Sequence, residues 1–308
     1  MATSDLTSKF LGCLIGKALG DAIGELAFAM PAEAALRRHV AEADVLVYTD
    51  DTAMALGIAE SLVEAGDLDP EHLGRRFHDN FLREPWRGYG PGPPSIFAAV
   101  ERTGLPYRQV AGRLFGGEGS LGNGAAMRVA PVGLAYHASP ELAEKARLSA
   151  AVTHTHPVGM DGAAVQATAV ALATVLDPQG PLDRQIFCRR LIDAAQSPEI
   201  RGRMELVRTL VSDGAPAKQA ADAIGRSVAM QESMPFAIFA FLSHPDSFED
   251  CLFTAALNGG DRDTLAAMAC AISGAYLGLE AIPEAWRARL ENHDLIAALS
   301  RRLVRMAL

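Results

Sequence analysis

Tyr48-Thr49-Asp50-Asp51-Thr52 runs straight into Ala53-Met54-Ala55-Leu56, and the reading of the whole chain starts there. Thr49 to Thr52 offer hard oxygen atoms on consecutive side chains, and an apolar pattern follows at once. Ala55, Ile58, Ala59 and Leu62 fall at helical spacing, so an amphipathic helix is expected after Thr52. Thr or Asp just before it is the expected N-cap. A cap uses one oxygen, which leaves most of the cluster unexplained. The arrangement recurs downstream as Asn258-Gly259-Gly260-Asp261-Arg262-Asp263-Thr264, ahead of an apolar helix expected over residues 265–279. Each cluster alone reads as acids favoured at a helix start. If the fold apposes the two, carboxylates and hydroxyls converge and their repulsion requires cations. Oxygen ligands without His or Cys select Mg²⁺, Mn²⁺ or Ca²⁺ over zinc. A two-metal site is the expectation.

The rest of the chain sets the frame around that stretch. Its 308 residues allow one large or two ordinary domains. Hydrophobic residues make up 49% and aromatics only 6%, which favours close helix packing over a β-sandwich. A net charge of −9 argues against a general nucleic-acid-binding surface. Met1-Ala2-Thr3-Ser4-Asp5 has no basic segment leading into an apolar core, so no signal peptide is read. The longest nearly unbroken apolar run, 265–279, falls short of the ~20 residues of a membrane span. Cys13, Cys188, Cys251 and Cys270 lack paired spacing and read as reduced core thiols. A cytoplasmic monomer with no nucleic-acid or membrane partner is expected.

Helical patterns follow one another. Residues 10–23 carry Phe10, Leu11, Leu14, Ile15 and Leu19 on one side, with Gly12, Gly16 and Gly20 as a packing stripe. Further helices are expected over 69–81, 96–102, 160–176, 184–195, 199–212, 216–224, 235–242, 247–257 and 284–305. The helix over 160–176 is apolar nearly all round and should lie at the centre. Residues 85–95, rich in Pro and Gly, read as a loop. Only Val45-Leu46-Val47-Tyr48 has a period of two. One all-α domain is expected.

Two loops carry weaker signals. Residues 116–124, Gly-Gly-Glu-Gly-Ser-Leu-Gly-Asn-Gly, enter a helix and either present N–H groups to an anion such as phosphate or serve as a connector. Thr153-His154-Thr155-His156-Pro157 precedes the central helix, where a His serves as cap, packing residue or ligand contact.

Taken in order, Thr49-Asp50-Asp51-Thr52, Arg87-Gly88-Tyr89-Gly90, the run from Gly119-Ser120-Leu121-Gly122-Asn123-Gly124 to Arg128, Thr153-His154 and Gly259-Gly260-Asp261-Arg262-Asp263-Thr264 resemble the motifs of ADP-ribosylglycohydrolases. Gln231-Glu232-Ser233-Met234-Pro235 and the Arg-Gly-Tyr-Gly loop look most like the branch that removes ADP-ribose from serine. The resemblance spans about residues 10–279, and the ordered set is specific where each motif is not. It implies one orthogonally packed helical domain over 1–308 and two Mg²⁺ ions, with Mn²⁺ as a substitute. It also implies hydrolysis at the distal-ribose anomeric carbon of ADP-ribosylated proteins or small molecules.

Carried over by position, Thr49, Asp50, Asp51, Asp261, Asp263 and Thr264 are the implied metal ligands. Gly119, Ser120, Leu121, Gly122 and Asn123 are implied to hold the diphosphate and nearby ribose, mostly through backbone amides. Phe115 and His154 match positions along the ADP-ribose groove. Met127 and Arg128 match as well, and packing with a structural ion pair explains them equally. Breaking an anomeric bond passes through an oxocarbenium-like state, which metal-activated water suits, with Asp50 or Asp51 taking the proton.

Two departures stand out. Arg262 replaces the Thr usual between the C-terminal aspartates. Phe28 stands where the family usually places a Glu; the nearby acid is Glu25, which either reaches the same place as catalytic acid or base through a one-turn shift after Gly24 or is a solvated surface acid. The expected function is Mg-dependent hydrolysis, with O-linked ADP-ribose on serine, O-acetyl-ADP-ribose or ADP-ribose polymer favoured. The alternatives are an arginine-directed hydrolase, an ADP-ribose binder with weak turnover, and a non-catalytic structural homologue.

Overall fold

The glycine stripe fixes the centre of the architecture. In the computed structural model, which describes residues 3–308, the N-terminal helix Thr3–Ala29 lies antiparallel against Arg262–Leu277. Gly12 meets Gly274, Gly16 meets the Cys270 carbonyl, Gly20 meets Ala266 and Gly24 meets Asp263. A Cβ on Gly24 would stand 2.5 Å from Asp263 Cα. Side-chain size sets the distance between packed helices, so only a glycine face allows this approach. The chain's first helix is thereby held against the second acidic cluster.

Eighteen α-helices and two 3-10 turns make up the described residues. The only β pairings among them are isolated bridges, Leu46 with Leu290 and Gly122 with Ala229. The fold is all-α, as expected. Residues 45–48 keep their period of two without a sheet: Leu46 and Tyr48 are buried, Val45 and Val47 exposed. Pro157–Val175 lies buried at the centre, packed on Ala130–Ala135, Leu142–Ala151 and Arg262–Leu277. It is long and apolar enough to cross a membrane, yet 72% of its apolar window is buried inside the fold. All four cysteines are free and buried.

Several boundaries differ from the sequence pattern, each for a local reason. The loop expected over 85–95 ends earlier, because Gly92–Thr103 takes its prolines into the first turn, where the missing N–H has no helical partner to lose. Met230–Ser243 starts five residues ahead of the expected Pro235 and carries that proline inside; Met230 N–H donates to Leu121 O (3.0 Å) and anchors the early start. The helix expected over 284–305 splits into Glu284–Arg287 and His293–Ala307. Asn292 between them takes a left-handed φ of 54° and its amide donates to Tyr48 Oη (2.8 Å). Four helices, Glu33–Glu42, Tyr107–Ala111, Ala130–Ala135 and Leu142–Ala151, add to those the sequence pattern predicts.

Candidate active site

The helix Asp50–Ala65 is capped from another element. Thr49 is its N-cap residue but makes no side-chain capping bond. The carboxylate of Asp21, fully buried on the N-terminal helix, accepts the backbone N–H of Thr49 (3.0 Å) and Thr52 (2.9 Å) and both hydroxyls (2.8 and 2.6 Å). Asp21 thus does what the sequence assigns to Thr49 or an aspartate of the cluster. That frees Asp50 and Asp51 from capping. The available signal is Gly20-Asp21-Ala22-Ile23-Gly24, an acid set between glycines in an apolar helix.

The two acidic clusters meet. Thr264 Oγ1 donates to Asp51 Oδ2 (3.2 Å), and Asn123 Nδ2 donates to Asp261 Oδ2 (2.6 Å). Asp50, Asp51, Asp261, Asp263 and Thr264 line one end of a cleft of about 580 Å³. Burial, then the Asp21 charge, push Asp50 up to about 7, with the buried Lys17 opposing the rise. Burial followed by Asp261 and Asp21 lifts Asp263 to about 7, and burial followed by Asp21 carries Asp51 well above the carboxylate range. Thr49 does not line the cleft. Its hydroxyl donates to Asp21, which leaves only its oxygen lone pairs for any cation.

These residues fit a hard cation. Asp51 Oδ1 and Asp263 Oδ1 are buried with no hydrogen-bond partner, and buried anionic oxygens require a proton or a counter-charge. Among the described residues no three His, Cys, Asp or Glu side chains close into a metal cage. The donor set is an open one, which would leave coordination positions to water or a substrate oxygen, as oxygen-ligated divalent ions commonly use. Arg262 does not intrude: its Nη1 donates to Ala256 O (2.6 Å) near the C-terminus of Phe248–Leu257.

Gly119, Ser120, Leu121, Gly122 and Asn123 form the next wall of the cleft. Three of their amides are already engaged: Gly119 N–H on Leu114 O (3.1 Å), Asn123 N–H on Val228 O (2.9 Å) and Gly122 N–H on Ser120 Oγ (3.2 Å). Those of Ser120 and Leu121 make no hydrogen bond among the described residues. Gly119 is the glycine this loop requires: φ is 76°, and a Cβ would run into Thr155 Oγ1. Gly122 has ordinary φ and 3.3 Å to Ser120 Oγ from a built Cβ.

Residues 225–229, which carry no motif of their own, join this wall to the second cluster. Val228 O takes Asn123 N–H, Arg226 O takes Asp261 N–H (2.9 Å), and Glu232 Oε2 holds the segment through Ser227 N–H (3.1 Å). Val228 and Ala229 line the cleft. The nearest signal in the sequence is Gln231-Glu232-Ser233, which speaks through its resemblance and not for this strut. On the other rim Arg87 donates to Tyr48 O (3.0 Å) and Glu291 (2.6 Å), which fixes the loop carrying Gly88 and Gly90.

Phe115 and His154 also line the cleft. Phe115 is 66% exposed with a left-handed φ of 52°. His154 is buried, and burial followed by the Arg128 charge lowers it to about 3, so it is neutral. Arg128 forms no ion pair among the described residues, so the structural ion pair offered as an alternative explanation is not made. It lies 4.6 Å over the Phe77 ring and donates to Thr153 Oγ1 (2.7 Å). Glu25 and Phe28 lie on the continuous N-terminal helix, both exposed and outside the cleft lining. Partial desolvation and then Asp21 raise the Glu25 carboxyl.

The helical fold thus sets two apposed acidic clusters beside a glycine-rich loop in one cleft. The sequence profile of ADP-ribosylglycohydrolase matches residues 2–307, and the chain belongs to that family of hydrolases acting on ADP-ribose glycosidic bonds. The ADP-ribosylhydrolase ARH3 of Mus musculus is 32% identical over 97% of this chain and 92% of its own length. The ARH3 of Homo sapiens is 32% identical over 97% and 93%. An uncharacterized protein of Archaeoglobus fulgidus is 32% identical over 97% and 96%. A solved structure described as an ADP-ribosylglycohydrolase-related protein complex superposes with a TM-score of 0.73 at 26% identity, covering 99% of this chain and all of that one.

Proposed function

We propose that this protein is a metal-dependent hydrolase that releases ADP-ribose from O-linked substrates by cleaving at the distal-ribose anomeric carbon. Serine-linked ADP-ribose, O-acetyl-ADP-ribose and ADP-ribose polymer are the favoured substrates. The observation that carries the reading is the meeting of the two acidic clusters at one end of a cleft whose wall is the residue 119–123 loop. A ligand with its diphosphate on the free Ser120 and Leu121 amides would direct its distal ribose toward Asp50, Asp51, Asp261 and Asp263, and its adenosine toward Phe115. The relatives named ADP-ribosylhydrolase ARH3 support an ADP-ribosylated substrate.

Two Mg²⁺ ions, with Mn²⁺ as substitute, would be held by Asp50, Asp51, Asp261, Asp263 and Thr264, with Thr49 as a lone-pair donor. Bound there, they would clamp ribose hydroxyls and make a water acidic. The protein's own side chains do the rest. Asn123 orients Asp261, and Asp21 keeps Thr49 and Thr52 fixed so that Asp50 and Asp51 face the ribose. Asp50 or Asp51 accepts a proton from the attacking water. Glu25, one turn beyond Asp21 with a raised carboxyl, lies outside the cleft lining and would give a proton to the leaving oxygen only if the end of its helix shifted toward the cleft. Phe28 cannot, and its place on the same helix favours the second reading, an ADP-ribose binder with weak turnover.

A panel of serine-, arginine- and acetyl-linked ADP-ribose and polymer, each with Mg²⁺ or chelator, tests the proposal. Release from O-linked substrates only with Mg²⁺ is expected, and Glu25→Gln should slow it by about 10²–10⁴-fold, the usual contribution of a general acid or base, with ADP-ribose binding kept. Binding without release identifies the binder, and release from arginine alone makes the enzyme arginine-directed. A fast wild type indifferent to Glu25→Gln removes Glu25 from the reaction.

A further inference from the structure

Arg128, Thr153 and His154 form a directional chain that ends in the cleft. Arg128 Nη2 donates to Thr153 Oγ1 (2.7 Å), and Thr153 Oγ1 lies 2.7 Å from His154 Nδ1. All three residues are buried. Arginine has donors and no acceptor, so the Thr153 oxygen must accept from Arg128. The Thr153 hydroxyl proton then needs an acceptor, and His154 Nδ1 is the only one within reach among the described residues. The reverse arrangement, with Nδ1–H donating, would strand a buried hydroxyl proton, at the usual cost of an unmade hydrogen bond.

A neutral imidazole that accepts at Nδ1 carries its proton on Nε2. Nε2 makes no hydrogen bond among the described residues, and it lies against the glycine loop: Cβ atoms built on Gly122 and Gly124 would stand 3.6 and 3.1 Å from it. We infer that Arg128 and Thr153 are positioning residues that lock His154 as the Nε2–H tautomer, so that the cleft always presents it as a donor for a ligand oxygen. The neutral state of His154 agrees, because burial, and then the Arg128 charge beside it, disfavour a proton there. A donor that cannot become an acceptor selects ligands carrying an anionic or hydroxyl oxygen at that point. On the reading of the cleft as an ADP-ribose site, this oxygen belongs to the diphosphate or the adjoining ribose.

Long-range ¹H–¹⁵N NMR of the full chain, with His154 assigned by substitution, reads the tautomer directly. The wild type should show an unprotonated Nδ1 and a protonated Nε2. A protonated Nδ1 in the wild type would overturn the inference, whatever any variant does. Thr153→Val should mix or invert the tautomers and weaken ADP-ribose binding about tenfold, the value of one hydrogen bond, while Thr153→Ser restores both. Thr153→Val with unchanged tautomer and affinity would show that Thr153 only packs. If the wild type has the expected tautomer but does not bind ADP-ribose, the chain stands and the ligand reading fails.

Discussion

His154 shows how much one buried side chain carries. Its folded pKa of about 3 lies below the ordinary histidine value of 6.5, chiefly through burial. Above pH 6.5 both folded and unfolded chains hold it neutral, so its full contribution is present there. As pH falls from 6.5 toward 3 the unfolded chain takes a proton that the folded one refuses, and stability is lost at about 1.4 kcal/mol per pH unit. Urea unfolding of the wild type should therefore lose about 2 kcal/mol more between about pH 7 and 5 than that of His154→Phe. An equal loss in both proteins would mean His154 is protonated in the fold. Asp21 makes the complementary point: it carries no proton in the proposed chemistry, yet hydrogen bonds from Thr49 and Thr52 converge on it and set where the chemical residues stand.

At the scale of elements, the shape of the loop of residues 119–124 depends on which glycine is obligatory. That requirement falls on Gly119, whose φ of 76° and contact with Thr155 exclude a side chain. Gly119→Ala should cost at least about 1 kcal/mol from backbone strain alone and weaken ADP-ribose binding by about tenfold or more. Gly122→Ala, with free φ and 3.3 Å of clearance, should lose far less. Isothermal titration of both variants decides the assignment; equal losses would mean the loop contacts ligand evenly along its length. The Thr3–Ala29 and Arg262–Leu277 pair obeys the same logic, since its glycines let the two backbones pack face to face.

Across the whole molecule, the cleft is where distant parts of the chain are joined. Asp21, Asp50 and Asp51 come from its opening helices and Asp261 and Asp263 from far downstream, so the cation proposed between them would bind the folded chain and not the unfolded one. By linkage, ligand at about 100 times its Kd stabilises by about 2.7 kcal/mol. Saturating Mg²⁺ should raise the wild-type melting temperature by several degrees, and Asp263→Asn should abolish the rise with helix content intact. An undiminished Mg²⁺ shift in Asp263→Asn would place the cation elsewhere.

The sequence by itself determined the all-α class, the buried central helix and the acid-rich helix starts, because periodicity and composition are local properties of a chain segment. It also held the glycine loop and both acidic clusters, since each is a contiguous run. Only the tertiary structure decided that Asp21 caps the helix beginning at Asp50, that residues 225–229 strap the loop to Asp261, and that Arg262 turns away from the carboxylates. The helix start at Met230 and the break at Asn292 were likewise set by partners far away in sequence. Most of these are hydrogen bonds between groups separated by tens to hundreds of residues. No pattern within one segment can encode which distant donor or acceptor will meet it.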